Sequence, residues 1–287
     1  MTTSKEVSFN VGTTTLRGIM WGEEHSDLVL CLHGWLDNSA SFVPLAPFFK
    51  EKRVLAIDWP GHGLSSHRSK DAHYHFIDYV YDLLQLFTLN NWQSVDIVGH
   101  SMGGMIASAF TAAFPEKVNS LSLIDSIGFL YGEAEQTTKQ LRQGLLSRLT
   151  NHNKKKAQHP QLDSAIKARV AVSDLSYENA ELIVKRGIAK NDNDYVWRSD
   201  SRLRMVSPYR LSFEQAAQFI GDIDKPVLLV YGDQGLDMVT TGIDNFGPLF
   251  NAITMKKLSG GHHLHMEVPE KVAKEISTFI MLNSCNN

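Results

Sequence analysis

The chain has 287 residues, 43% hydrophobic and 21% charged, which excludes intrinsic disorder, collagen-like repeats and a coiled coil. Its net charge of −3, from 28 Lys and Arg against 31 Asp and Glu, leaves no basic surplus to neutralise phosphates and argues against nucleic acid as a main partner. The two cysteines, Cys31 in an apolar run and Cys285 in the polar tail, need no disulfide framework and suit a reducing compartment.

The N-terminus, MTTSKEVSFN, has no apolar core of a signal peptide, and no apolar run approaches the ~18 residues of a membrane span. A cytoplasmic protein is the expectation. Residues 5–11 and 15–21 read as strands joined at Gly12. Leu28–Leu32 is almost continuously apolar, as expected of a strand buried on both faces, and 54–57, 95–98 and 121–124 read the same way. Between them, Phe76–Leu89 spaces Val80, Leu83, Leu84 and Phe87 as a helix does, and 102–114 is Ala-rich and stops before Pro115. The alternation then breaks. Residues 126–222 show helical patterning around Leu141, Leu145, Leu146 and Leu149, around Leu182, Ile183 and Arg186, and after the capping pair Ser212 and Gln215, with no convincing strand. Polar loops are expected at 151–160, which holds Lys154, Lys155 and Lys156, and at 191–194. Strands resume at 227–231 and Ile253–Leu258, and a helix at 269–282 closes the chain. The pattern is an α/β core of residues 1–125 and 223–287, with a parallel sheet, interrupted by an all-helical lid over 126–222.

Three motifs carry chemistry. Gly99-His100-Ser101-Met102-Gly103 is a G-x-S-x-G that follows a strand and opens a helix, the strand–turn–helix setting that presents a serine as nucleophile. His33-Gly34-Trp35 ends the strand Leu28–Leu32, where the Trp35 main-chain N–H can pair with that of Met102 to hold an oxyanion. The side chain of His33 reads as a structural tie between loops. Gly261-His262-His263-Leu264-His265 lies between the last strand and the last helix and supplies the base that the serine needs. His262, directly after the glycine pair, is the first choice of the three. No carboxylate or cysteine at ligand spacing accompanies them, so neither metal nor organic cofactor is expected.

In these motifs the chain resembles the α/β-hydrolase fold superfamily, in its lid-bearing serine hydrolase branch near the epoxide hydrolases and haloalkane dehalogenases. Asp58-Trp59-Pro60-Gly61-His62-Gly63-Leu64-Ser65 is similar to that family's D-x-P-G-x-G-x-S loop, and Gly261 through Pro269 matches its G-H-x-x-x-x-E-x-P pattern. The resemblance implies a central, mostly parallel eight-stranded sheet with helices on both faces. It places the base on His262 and makes Asp58 a loop anchor. Where dehalogenases and epoxide hydrolases carry aspartate, this chain has Ser101, which implies acyl transfer. The acid departs from the usual pattern: Gly232-Asp233-Gln234-Gly235 has glycine in the common aspartate slot. Some lid-bearing relatives place the acid after the preceding strand, which here is Asp125. Asp237 and Asp233 are the alternatives.

The expectation is therefore a serine esterase with Ser101, His262 and Asp125 as its triad and Trp35 and Met102 as oxyanion donors. Its partner is a small-molecule acyl substrate; lid faces and dimer faces look alike in sequence, and a homodimer is compatible with either. The same triad serves C–C bond, thioester or amide hydrolysis and acyl transfer, and a ligand-binding signalling protein with little turnover is the alternative from another class.

Overall fold

A computed structural model describes residues 3–151 and 156–284. Lys154, Lys155 and Cys285 lie outside the described residues. The sheet forms from eight segments: β1 (Ser4–Val11), β2 (Thr14–Trp21), β3 (Leu28–Leu32), β4 (Arg53–Asp58), β5 (Val95–His100), β6 (Val118–Ile124), β10 (Val227–Gly232) and β11 (Ile253–Leu258). Their order is β1-β2-β4-β3-β5-β6-β10-β11. β1 and β2 pair antiparallel, as do β2 and β4, and every pairing from β4 to β11 is parallel. β3 and β5 are buried along their whole length, which explains the unbroken apolar sequence of β3; in β5 the buried Asp96 instead accepts from Ser120 Oγ at 2.6 Å.

Helices cover both faces. Helix α1 (Phe76–Leu89) and helix α2 (Met102–Ala113) pack Leu83, Leu86, Ile106 and Phe110 against one face. On the other, Val272, Ala273, Ile276 and Ile280 of α9 (Pro269–Ser284) meet Phe42 and Leu45. Open α/β sheets place their sites at the carboxyl ends of the strands. Here β3, β5, β6 and β10 end together at Leu32, His100, Ile124 and Gly232.

Between β6 and β10 run α3 (Thr137–Asn151), β7 (Gln158–His159), α4 (Leu162–Val170), α5 (Tyr177–Gly187), β8 (Ile188–Asn191), β9 (Asp194–Trp197) and α6 (Phe213–Gly221). This corrects the expectation of an all-helical insertion, since β7, β9 and β8 form a small antiparallel sheet. Its hairpin turns at Asp192 and Asn193, the former with φ of 51°, and the strands are too short for an alternating pattern to register. The insertion has its own core of Ala165, Ile166, Leu175, Ala180, Ile183 and Val184. Helix α6 opens with the expected capping box of Ser212 and Gln215 and sends Ala216 and Ile220 into the main core. Two further elements complete the chain, α7 (Asp237–Phe246) after β10 and the single turn α8 (Leu264–Glu267) before α9. No helix among the described residues is long and apolar enough to cross a membrane.

Candidate active site

Ser101 stands between β5 and α2 with φ 50° and ψ −121°. A non-glycine residue in that region carries about 1–3 kcal/mol of strain and persists only where its surroundings fix it. Here they do. Ser101 N donates to Ile124 O at 3.2 Å, while Ser101 O accepts from Gly104 N at 2.9 Å and Ser126 Oγ at 2.8 Å. A Cβ at Gly103 would lie 2.1 Å from Leu32 O, so the first turn of α2 approaches β3 only because residue 103 is glycine.

The turn after β3 lies against this elbow. A Cβ at Gly34 would come within 3.1 Å of Ser101 Cβ. Asp37 N donates to Gly34 O at 3.2 Å and closes the turn around Trp35. The Met102 N–H opens α2 and so has no acceptor within its own helix. Among the described residues, neither it nor the Trp35 N–H donates to another protein group. The Trp35 side chain points elsewhere, donating Nε1 to Leu203 O at 3.0 Å. His33 accepts from Trp59 N at 3.0 Å and donates Nδ1 to Gly34 O at 2.7 Å, a tie between two loops.

His262, in the loop after β11, meets Asp125, directly after β6, with β10 lying between the two strands. His262 Nδ1 donates to Asp125 Oδ2 at 2.6 Å. Asp125 follows β6 directly, is fully buried and has φ of 43°. Its Oδ1 also accepts from Gly232 N at 3.2 Å, and its Oδ2 from Leu236 N at 3.4 Å. The two alternative acids face away: Asp233 accepts from Gly260 N at 3.0 Å, and exposed Asp237 begins α7. Asp58 anchors its loop through Ser39 N and Leu64 N, each at 2.8 Å, and pairs with Arg186 Nε at 2.9 Å. Arg186 in turn reaches Glu6 at 2.5 Å.

A second cluster adjoins His262. His263 donates its main-chain N–H to Asp174 Oδ2 at 2.9 Å, its Nδ1 to Asp174 Oδ1, and its Nε2 to Asp37 Oδ2 at 3.3 Å. Arg169 pairs with the other oxygen of Asp37 at 2.5 Å. Burial works against charge here, but Asp37 and Asp174 outweigh it and push His263 up to about 9. Burial likewise opposes ionisation of Asp37, yet His263 and Arg169 hold its carboxyl well below the usual range. His100 and His265 are kept neutral, mainly by burial and then by the neighbouring histidines, His265 down to about 3. Sequence reasoning missed Asp37, Asp174 and Arg169. Asp37 stands three residues from Gly34 and could have been suspected, but nothing local marks Asp174 or Arg169 as its neighbours. Among the described residues, no three His, Cys, Asp or Glu side chains are arranged to hold a metal ion.

Comparison with known proteins speaks to the family and the fold. A family model described as the alpha/beta hydrolase fold matches residues 27–269. The chain is 32% identical over 280 residues to a serine hydrolase-like protein of Danio rerio, spanning 94% of this chain and 86% of that one. It is 32% identical over 278 residues to serine hydrolase-like protein 2 of Homo sapiens, spanning 91% and 88%. Among solved structures it is similar to a hypothetical protein of Pseudomonas aeruginosa PAO1, with TM-score 0.91, 33% identity and 98% and 99% of the two chains covered. It is also similar to the thioesterase domain from the curacin biosynthetic pathway, with TM-score 0.84, 25% identity and 96% and 99% covered.

Proposed function

The chain belongs to the α/β-hydrolase fold family, and on that premise we propose that it is a serine hydrolase cleaving a small or medium-sized carboxylic ester through an acyl-enzyme. The observation that carries the reading is the 2.6 Å bond from His262 Nδ1 to Asp125, one strand away from the strained serine elbow. A proton held on Nδ1 leaves Nε2 unprotonated and able to act as base. Ser101 Oγ attacks the acyl carbon as His262 Nε2 takes its proton. The negative oxygen of the tetrahedral intermediate is held by the N–H groups of Trp35 and Met102; removing one such donor typically costs about 100- to 1000-fold in rate. Collapse breaks the bond to the leaving alkoxide, which receives the proton from His262. Water, deprotonated by the same nitrogen, then attacks the acyl-enzyme and releases the acid. Asp125 keeps the imidazole oriented and stabilises its charged form.

Residues 126–222 act as the lid. Arg169 and Asp174 support this, because both bond to loops that flank Ser101. A buried free thiol at Cys31 is compatible with a reducing compartment, the cytoplasm. A thioester is the second substrate reading, favoured by the likeness to a thioesterase domain.

The test is a burst assay with p-nitrophenyl esters and acyl thioesters of increasing chain length, run beside Ser101→Ala. A stoichiometric burst followed by turnover, absent from Ser101→Ala, is expected, and the preferred chain length reports pocket depth. Fluorophosphonate labelling of Ser101 with no turnover on any substrate would favour a ligand-binding protein instead. Absence of both labelling and turnover would overturn the serine reading.

A further inference from the structure

The loop bearing His262, the turn bearing Trp35 and the insertion meet at one ion cluster. The peptide unit joining His262 and His263 is held from both sides: its carbonyl accepts from His100 Nε2 at 3.0 Å, and its N–H donates to Asp174 Oδ2 at 2.9 Å. The His263 ring then bridges Asp174 and Asp37. Asp37 closes the Gly34–Asp37 turn and is gripped from the insertion by Arg169. That turn carries the Trp35 N–H and rests on Ser101.

We propose that His263 is a positioning residue for acyl transfer, which holds the Trp35 N–H and the His262 ring in register with Ser101 by clamping Asp37 to Asp174. The proposal rests on the hydrolase reading above. Bonds from both ring nitrogens to carboxylates need the imidazolium, since neutral histidine donates through only one nitrogen. The groups facing His263 favour that charge. Asp37 comes from the turn after β3, and Asp174 from the α4–α5 connection. Arg169 of α4 offsets part of their charge through Asp37. His100, His262 and His265 stack around the ring with centroids 5.1, 5.2 and 6.1 Å away, and His100 and His265 are neutral. Removing one donor from this cluster frees the turn and the base loop without touching Ser101, His262 or Asp125. A misplacement of about 1 Å in such a site costs on the order of 100-fold in rate.

The experiment compares wild type with His263→Gln and Asp174→Asn. It measures the rate of Ser101 labelling by a fluorophosphonate, kcat and KM for p-nitrophenyl acetate from pH 6 to pH 10, and thermal midpoints. Both variants should label and turn over about 10- to 100-fold more slowly, with KM within about threefold of wild type. The wild-type rate should fall above about pH 9 as His263 loses its proton, and His263→Gln should lack that fall. His263→Lys, which keeps a cation, should recover part of the rate. If either variant folds with a lowered midpoint but labels and turns over like wild type, His263 is structural only and the proposal fails. If His263→Gln does not fold, Asp174→Asn, at the half-exposed end of the cluster, decides the matter alone. Wild type that neither labels nor turns over would overturn the hydrolase reading and the positioning role together. Labelled wild type with equally reactive variants overturns the positioning role only.

Discussion

A Cβ at Gly235 would stand 2.4 Å from Oδ1 of Asp125, so these two positions compete for one space beside His262. Gly235 occupies the slot where this fold commonly carries its acid. Its backbone has no left-handed φ, so a side chain there is refused by the carboxylate of Asp125 and not by the chain.

The competition predicts how the acid can be moved. Asp125→Asn should lower turnover by about 1000- to 10,000-fold, because the amide favours the wrong tautomer of His262. Gly235→Asp alone should destabilise the protein by forcing two carboxylates together. Asp125→Gly combined with Gly235→Asp should recover at least about tenfold of the rate lost in Asp125→Gly alone. Steady-state kinetics on the three variants check this; no gain in the double variant would show that the β10 loop cannot aim a carboxylate at His262.

Ser101 holds strain in a backbone region that glycine enters freely. Its hydroxyl makes no hydrogen bond to another described residue, so the side chain contributes little to stability. Ser101→Gly should abolish turnover yet stabilise the protein by about 1 kcal/mol, or roughly 2–4 °C in thermal midpoint. Calorimetry showing a lower midpoint would mean that the elbow is not strained.

Arg186 is buried between Asp58, at 2.9 Å, and Glu6, at 2.5 Å. Replacing it leaves the fully buried Asp58 without its cation. Arg186→Met should therefore destabilise by about 3–5 kcal/mol, lowering the midpoint by roughly 10 °C. A loss under about 1 kcal/mol in urea titration would show that the backbone donors alone satisfy Asp58.

The ion cluster also sets a pH window for stability. His263 is raised to about 9, so its contribution is full below its ordinary value near 6.5 and fades as pH climbs through about 9. Asp37 and Asp174 are depressed, so theirs is full above about pH 4 and fades on acidification. The midpoint difference between wild type and His263→Gln should be widest between about pH 5 and pH 6.5, at about 4–8 °C, and should shrink steadily from there to pH 10. A difference independent of pH would mean that His263 is uncharged.

Strand and helix positions in the core were legible because burial on two faces leaves unbroken apolar runs such as Leu28–Leu32, and because the glycine elbow needs close backbone approach at Gly103. His262 was readable from its place after a glycine pair, whereas Asp125 came only from the resemblance to lid-bearing relatives, with Asp237 and Asp233 as alternatives; that His262 and Asp125 bond is a matter of three dimensions. Helix α3 shows where pattern misleads. Leu141, Leu145, Leu146 and Leu149 do share a face, but that face is exposed, and the helix seats Gly144 on Pro208 instead. Periodicity reveals that a helix has two sides, not which side the rest of the chain will cover.

The link from Glu6 to Arg186 joins residues 180 positions apart. During synthesis the first strand leaves the ribosome long before its partner exists, and Asp58 waits with it. Contacts of such separation form late and slow the search for the native state. Arg186 of the insertion thus finds both of its carboxylates on elements made far earlier, and the N-terminal edge of the sheet serves as a landing place for a segment synthesised much later.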